Sequence, residues 1–172
     1  MDKILSSKLV FKCPKFRVYE EKVLLVTNKI TIRWQIIYND SVVIIGITNN
    51  KHMILINEYR EGLGKKILLL PGGGVKEGEK ITDAALREFE EETGYVGDRI
   101  EPLTVFDESN SKIRHKIYYF VIKDIKFKKQ NLEIDEEIEV LLFPFEKILE
   151  LIKNKILNDK NDVKAIKLLI DD

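Results

Sequence analysis

The sequence has few of the features that mark secreted, membrane-spanning or nucleic-acid-binding proteins. Its 172 residues include one cysteine, Cys13, so no disulfide can form within the chain and a reducing compartment is favoured. No apolar run approaches the roughly 20 residues that span a bilayer, and the first residues lack the layout of a signal peptide. Lys and Arg number 29, as do Asp and Glu, so no overall charge favours nucleic acid or an anionic membrane. We therefore expect a cytoplasmic protein without a nucleic-acid or membrane partner.

The order of the predicted elements indicates an α/β fold with a mixed sheet, of a length suited to one domain. Residues 8–24 are expected to be extended and broken at Pro14, with turns at 39–40 and 49–51. Strands are predicted at 31–38, 41–47, 52–57, 67–70, 101–106, 114–123 and 138–143. Helices are predicted at 82–93, closed by Gly94, and at 145–153 and 162–170. Strands on both sides of a central helix are typical of a layered α/β protein.

The central predicted helix has an apolar and an acidic side. On a wheel of 3.6 residues per turn, Leu86 and Phe89 are expected to face the core, whereas Glu88, Glu91 and Glu92 cluster elsewhere. The ordinary explanation is a solvated acidic face. However, like charges at i,i+4 destabilise a helix by roughly 0.2–0.5 kcal/mol per pair, and acids in the last turn by about 0.3–1 kcal/mol each. A bound hard cation would relieve this repulsion, and carboxylates are ligands that Mg²⁺ prefers.

The segment before this helix suits a phosphate group and completes a motif. Three consecutive glycines, Gly72–Gly74, let the backbone approach a ligand or adopt positive φ. Gly73 is followed after five residues by Glu79, and after seven more by residues 87–95, REFEEETGY. This pattern resembles the box of the Nudix hydrolase family. Tyr95 departs from it mildly, since an aliphatic residue is usual at that position.

The resemblance implies a reaction, a cofactor and a fold. It implies a hydrolase dependent on Mg²⁺, with Mn²⁺ as the alternative ion, that cleaves a diphosphate linkage in a nucleotide-type substrate. The metal ligands it implies are the carbonyl of Gly72 and the carboxylates of Glu88, Glu91 and Glu92. Arg87, paired with Glu79, would orient the glutamates, so Arg87 and Glu92 are also assigned to catalysis. The implied fold is the Nudix α/β/α sandwich with a mixed sheet and an N-terminal strand extension, which agrees with the predicted order of elements.

Residues outside the box resemble the ADP-ribose and ADP-sugar diphosphatase branch of the family. The resemblance rests on residues 57–60, NEYR, and on residues 70–73, LPGG. It implies that a nucleotide sugar, first of all ADP-ribose, is hydrolysed to AMP and ribose 5-phosphate. Residues 1–40 would form a strand region that pairs two chains into a homodimer and completes the substrate site. Residues 41–172 would form the catalytic domain.

Three residues are assigned to the substrate. Trp34 lies where related enzymes place an aromatic that stacks on the nucleobase; the alternative is a tryptophan packed in the core or in a dimer interface. Arg60 could contact a phosphate or the terminal ribose, or be a strand-end arginine in a salt bridge. Gly73 would let the backbone approach the substrate.

The catalytic base of this branch usually comes from a loop late in the chain. Matching the Glu-X-X-Glu-Val end of the family pattern assigns the role to Glu136, with Glu133 and Glu137 as substitutes. The alternative is a solvated acidic loop.

Several features leave other functions open. Residues 107–111, DESNS, lack the proline and glycine usual in this branch, so another nucleoside diphosphate sugar fits comparably. A dinucleoside polyphosphate, NADH, a nucleoside triphosphate or a capped RNA is an alternative substrate. A nucleotide-sensing domain that does not cleave is an alternative of another class. His52, His115 and Cys13 form no metal or nucleophile motif and are assigned to structure.

Overall fold

The chain folds into strands and helices close to where the sequence predicts them, and the computed structural model describes residues 1–132 and 137–171. The strands in these ranges are β1 (Lys3–Lys12), β2 (Phe16–Leu24), β3 (Ile30–Tyr38), β4 (Ser41–Ile47), β5 (His52–Arg60), β6 (Lys65–Leu69), β7 (Gly72–Gly74), β8 (Tyr95–Val96), β9 (Arg99–Asp107), β10 (Ile113–Arg114), β11 (Lys116–Lys123), β12 (Lys126–Phe127) and β13 (Ile138–Pro144). The helices are α1 (Ile81–Thr93), α2 (Ile148–Lys153) and α3 (Lys160–Asp171), with 3₁₀ turns at Glu61–Leu63 and Phe145–Lys147. None of these helices is long and apolar enough to cross a membrane.

Most strands belong to two sheets. The smaller sheet has the order β1-β2-β3-β10. The larger has the order β13-β5-β4-β11-β9, with β6 beside β5 and β7 beside β4. In the larger sheet, β4 and β11 run parallel, with Ser41 opposite Ile117, whereas β5 is antiparallel to β4 and to β13. The larger sheet is therefore mixed, as predicted.

Alternating side chains of the larger sheet form two cores, one on each face. Ile44 of β4 belongs to one core and Ile45 to the other, because successive residues of a strand point to opposite faces. Ala85 and Phe89 of α1 cover the first core, and Ile166 of α3 belongs to the second. The sheet lies between helices, which confirms the α/β/α sandwich.

Three local predictions are wrong. Leu86 is 36% exposed while Phe89 is 1% exposed, because α1 packs on the sheet through small residues such as Ala85, which allow a closer approach. The predicted strand at 114–123 is interrupted at His115, since β10 pairs with β3 and β11 pairs with β4 and β9. Residues 39–40 do not form the predicted turn but carry the chain from the smaller sheet to the larger one.

The close approach of α1 to the larger sheet depends on Gly46 of β4. A Cβ at this position would overlap the ring of Phe89, which is buried. Burying a phenylalanine side chain contributes about 1.5–3 kcal/mol. The glycine and the ring together set the height of α1 above the sheet.

Gly46→Ala is expected to lower the free energy of unfolding by about 1–3 kcal/mol, because the added methyl group overpacks a filled core. Gly62→Ala is the matched control, since nothing lies within 4 Å of a Cβ at that position. Urea unfolding measures both variants. Equal stability of the two would contradict the packing of Phe89 on Gly46.

Candidate active site

Strand β7 places the three glycines directly beside α1. It pairs with β4, with Ser41 opposite Gly74 and Val43 opposite Gly72. A Cβ on Gly73 would lie 2.5 Å from the carboxyl carbon of Glu88. A side chain at this position would displace the Glu88 carboxylate, so the glycine lets the carboxylate lie against the backbone of β7.

The Arg87 guanidinium binds three carboxylates and one carbonyl. Its Nε and Nη2 donate to the two carboxylate oxygens of Glu79, at 2.8 and 2.9 Å. Its Nη1 donates to Glu88 Oε1 at 2.7 Å and to Glu91 Oε2 at 2.9 Å. Nη2 also donates to the Gly74 carbonyl at 3.1 Å. The planar, multiply donating fork of arginine suits this task, and lysine would not replace it.

The ion pair between Arg87 and Glu79 is mostly shielded from solvent, with side chains 19% and 16% exposed. Hydrogen bonds from Arg87, and one from the backbone N–H of Lys76, hold the pKa of Glu79 at about 2, against the effect of burial. The hydrogen bond to Glu79 in turn raises the pKa of Arg87. Both groups are therefore charged throughout the neutral pH range.

Glu92 lies on the buried side of α1 and is 4% exposed. Its Oε2 accepts the backbone N–H of Gly72 at 2.7 Å. The last turn of α1 is thereby tied to the first residue of β7. Together with the contact between Glu88 and Gly73, this bond sets the glutamates of α1 against the glycine strand.

The chemistry of this donor set suits a hard divalent cation. Carboxylate and carbonyl oxygens are the ligands that Mg²⁺ prefers, and one guanidinium among four carboxylates leaves the set net negative. In the described part of the chain, no three acidic, histidine or cysteine side chains converge on a common point that could hold a cation. Glu88 and Glu91 are turned towards Arg87, and Glu92 towards Gly72. Binding an ion therefore requires these carboxylates to share or exchange those contacts.

Two predicted substrate residues lie on other elements. Trp34 is on β3 of the smaller sheet and is 57% exposed, so it is not packed in the core of its own chain. Arg60 ends β5 and forms an ion pair with Glu58 at 2.8 Å. The salt bridge considered as the alternative for Arg60 is therefore present.

The acidic loop assigned to the catalytic base is only partly described. Glu133 and Glu136 lie outside the described residues. Glu137 is exposed and pairs with a lysine of β6 at 2.7 Å. Shortly before this loop, the N–H of Asn131 donates to the carbonyl of Glu91 at 2.9 Å, which holds the start of the loop at the C-terminal end of α1.

A cavity of about 360 Å³ lies between the C-terminal end of β3 and the segment from β9 to β11. Its walls include Asp107, Ser109, Arg114 and His115, from the segment between β9 and β11. The imidazole Nε2 of His115 lies 2.9 Å from the hydroxyl of Ser41, the residue that pairs with Gly74. The loop that departs from the family pattern thus lines this cavity, and His115 joins the cavity wall to the strand that pairs with the glycines.

A buried acid that the sequence patterns did not predict contacts the residues that lead into the glycine strand. Asp162 of α3 is 4% exposed. Its Oδ2 accepts the Leu70 N–H at 3.1 Å and its Oδ1 accepts the Tyr119 hydroxyl at 2.7 Å. The signal was present in the sequence, because Asp162 lies one turn before Ala165 and Ile166, on the buried side of α3.

Gly73→Ala is expected to weaken the binding of Mn²⁺ at least about tenfold, because the new methyl group pushes the Glu88 carboxylate from its place beside Arg87. Stability should change little, since the displaced atoms end a flexible side chain. Gly74→Ala is the matched control, with nothing within 4 Å of its Cβ. Titration followed by electron paramagnetic resonance measures both affinities, and equal values would contradict the crowding of Gly73 against Glu88.

Three known proteins are similar to nearly the whole length of this chain. An ADP-ribose pyrophosphatase of Bacillus subtilis (strain 168) is 26% identical over 170 residues, which cover 98% of this chain and 92% of that protein. A methanol dehydrogenase activator of Bacillus methanolicus is 29% identical over 171 residues, with the same two shares. A crystal structure of an ADP compounds hydrolase has the same fold, with a TM-score of 0.82 over 99% of this chain and 92% of that chain, at 23% identity. The model of the NUDIX domain family matches residues 37–166, and the protein therefore belongs to the Nudix family and is a Nudix hydrolase.

Proposed function

We propose that this Nudix hydrolase cleaves the diphosphate linkage of a nucleoside diphosphate sugar, with ADP-ribose, hydrolysed to AMP and ribose 5-phosphate, as the first candidate. The observation that carries the proposal is the set of glutamates bound to Arg87 and facing Gly72–Gly74. A diphosphate repels attacking water until its charge is compensated. This face offers oxygen ligands for a cation beside a backbone that a phosphate can approach.

Glu88, Glu91, Glu92 and the carbonyl of Gly72 would hold Mg²⁺, or Mn²⁺ as the alternative ion. Bound there, a divalent cation would neutralise phosphate oxygens and lower the pKa of water. Arg87 fixes the orientation of Glu88 and Glu91, and a carboxylate with two oxygens can accept from a guanidinium through one and ligate through the other. The bond from Gly72 to Glu92 keeps the glycine strand in register with the carboxylates.

The proton of the attacking water would pass to a carboxylate of the loop before β13. Glu136 is the first candidate, and Glu133 and Glu137 are the substitutes. The hydrogen bond from Asn131 to Glu91 supports this assignment, because it holds the start of the loop beside the helix that carries the ligands.

The substrate would extend from the diphosphate in two directions. Trp34 is proposed to stack on the nucleobase, which its exposure supports. Arg60 would contact a phosphate or the terminal ribose by exchanging its ion pair with Glu58. The cavity lined by Ser109 and Arg114 would take the distal sugar. The name of the Bacillus subtilis relative supports ADP-ribose as the first candidate.

The N-terminal strands, within residues 1–40, would pair two chains into a homodimer. Every residue of β1 is exposed, including Leu9, Val10 and Phe11. Large apolar side chains exposed along an edge strand favour an interface, and a second chain packed there could also receive Trp34 in its own site. Sedimentation at micromolar concentration should give the mass of two chains. A monomer would contradict this part of the proposal.

A nucleotide sensor that does not cleave is the alternative from another class, and another nucleotide substrate is the alternative among enzymes. The full set of box acids, with Arg87 holding three of them, favours the enzyme.

With Mg²⁺ present, the protein is expected to hydrolyse ADP-ribose or a related sugar such as ADP-glucose or GDP-mannose faster than NADH, diadenosine polyphosphates or nucleoside triphosphates. Chromatography of the loss of each substrate, and of the nucleotide and sugar phosphate formed from it, measures the panel. Chelating the metal should abolish turnover. Tight binding of a nucleotide without turnover of any member of the panel would contradict the enzymatic proposal and favour the sensor.

Glu92→Gln is expected to lower kcat by about two orders of magnitude or more, because it removes one ligand charge. The amide oxygen of glutamine can still accept the Gly72 N–H, so the metal-free protein should unfold at the same temperature or higher. Glu90→Gln is the matched control on the same turn. The Glu90 carboxylate forms an ion pair with Lys128 at 2.5 Å, whereas Arg87 and Glu92 bind the glycine strand. Near-normal turnover of Glu92→Gln would refute the ligand assignment.

A further inference from the structure

A buried carboxylate of α3 holds the segment that leads into the glycine strand. Leu70 follows the last residue of β6, and its N–H donates to Asp162 rather than to a neighbouring strand. The second oxygen of Asp162 accepts the Tyr119 hydroxyl from the centre of the larger sheet. Asp159 holds the first turn of α3, because its Oδ1 accepts the N–H groups of Asn161 and Asp162 at 2.9 and 3.0 Å. The Asp162 carboxylate is thus held by its bonds to Leu70 and Tyr119, and its backbone is held by Asp159.

Three consecutive residues, the last of which belongs to the site, are each fixed by a different element. The N–H of Leu70 is bound by Asp162 of α3. The carbonyl of Pro71 accepts an N–H of β4 at 2.8 Å. The N–H of Gly72 is bound by Glu92 of α1. The position of Gly72 therefore depends on both helix layers of the sandwich, one through Glu92 and the other through Asp162.

We propose that Asp162 is a positioning residue of the hydrolase: by fixing Leu70, it holds Gly72 where Glu92 accepts its N–H. The inference rests on the proposed role of Gly72 and Glu92 in holding a cation. Through the short Leu70–Pro71–Gly72 segment, a shift of Leu70 reaches the carbonyl offered as a ligand. Asp162 itself would touch neither substrate nor metal.

Packing of α3 alone gives no reason for an acid at this position. Ala165 and Ile166, on the same side of the helix, are buried in the core and hold α3 to the sheet. Moving a carboxylate into the core opposes folding, and burial accordingly raises the pKa of Asp162 to about 6. An apolar side chain would avoid this cost but would offer Leu70 no acceptor.

Asp162→Ala is expected to lower kcat about 10- to 100-fold and to change KM less than about threefold, because displacement of Gly72 misaligns the proposed ligand face. Asp162→Asn is the conservative rescue. Its Oδ1 can accept from Leu70 while its Nδ2 donates to the Tyr119 oxygen, so kcat should stay within about threefold of wild type. Tyr119→Phe is the matched control, because it removes the other bond of Asp162 and leaves the bond to Leu70. It should lower the melting temperature and keep kcat within about threefold.

Amide hydrogen exchange gives a readout that does not depend on turnover. In the wild type, the amides of Leu70 and Gly72 should exchange nearly as slowly as that of Leu55 in the core of β5. In Asp162→Ala, exchange at Gly72 should accelerate at least about tenfold relative to Leu55. In Asp162→Asn and Tyr119→Phe this ratio should be unchanged.

A folded Asp162→Ala protein with wild-type kcat and wild-type exchange at Gly72 would overturn the proposal. Equal losses of kcat and of exchange protection in Tyr119→Phe would also overturn it, since Asp162 would then act only by stabilising the fold.

If Asp162→Ala does not fold, Asp162→Glu replaces it. The extra methylene should displace Leu70 and give the same losses, and unchanged values again contradict the proposal. If the wild type cleaves no nucleotide, the proposed function fails, and exchange at Gly72 alone decides whether Asp162 positions this segment.

Discussion

One guanidinium determines how the acidic residues of this site are arranged. Two like charges about 4 Å apart repel by about 4 kcal/mol at the effective dielectric of a protein surface. Arg87 brings Glu79, Glu88 and Glu91 together despite this repulsion, and it places two nitrogens on Glu79 and one between the other two carboxylates. Such a partly buried network is favourable only when its geometry is good, and the bidentate bond to Glu79 provides that geometry. Arg87 therefore gathers the acids before a cation binds, and the cation would complete its site by sharing or replacing their contacts with Arg87 and Gly72.

The rest of the fold keeps the helix and the glycine strand at the spacing that this network requires. Gly46 lets α1 lie close to the larger sheet, and Gly73 lets Glu88 lie against the backbone of β7. Glu92 then ties α1 to Gly72. These contacts join a helix, a strand of the sheet centre and a short edge strand. The glycines allow neighbouring elements to approach closely, and the glutamates supply the negative charge of the site.

The sequence predicted what depends on local spacing and missed what depends on distant partners. The helix at 82–93 and its cap at Gly94 were found to within one residue, since periodicity and a left-handed glycine are local signals. The burial of Leu86 was predicted wrongly because the side of α1 that faces the sheet is set by the packing of Ala85 and Phe89, and Phe89 packs on Gly46, a residue distant in sequence. Asp162 was not predicted as a functional residue because its partner Leu70 lies 92 residues away. The spacing of Asp162 from Ala165 and Ile166 does indicate the buried side of α3. Trp34 is exposed because β3 belongs to the smaller sheet. The residue pattern of one strand does not show to which sheet that strand belongs.

The central claim, that Arg87 organises the acids through its pair with Glu79, is tested most directly by the pH dependence of stability in wild type and Glu79→Gln. The pair lowers the pKa of Glu79 from 4.5 to about 2 in the folded state. Its stabilisation should therefore be complete above pH 4.5 and should disappear as the pH falls towards 2. After allowance for solvent screening, we expect the wild type to be more stable by about 1–3 kcal/mol at neutral pH. Denaturant unfolding from pH 7 to the lowest pH at which both proteins fold measures the difference. A difference that shrinks below pH 4.5 is predicted, and a difference that is absent at neutral pH or constant throughout would contradict the account.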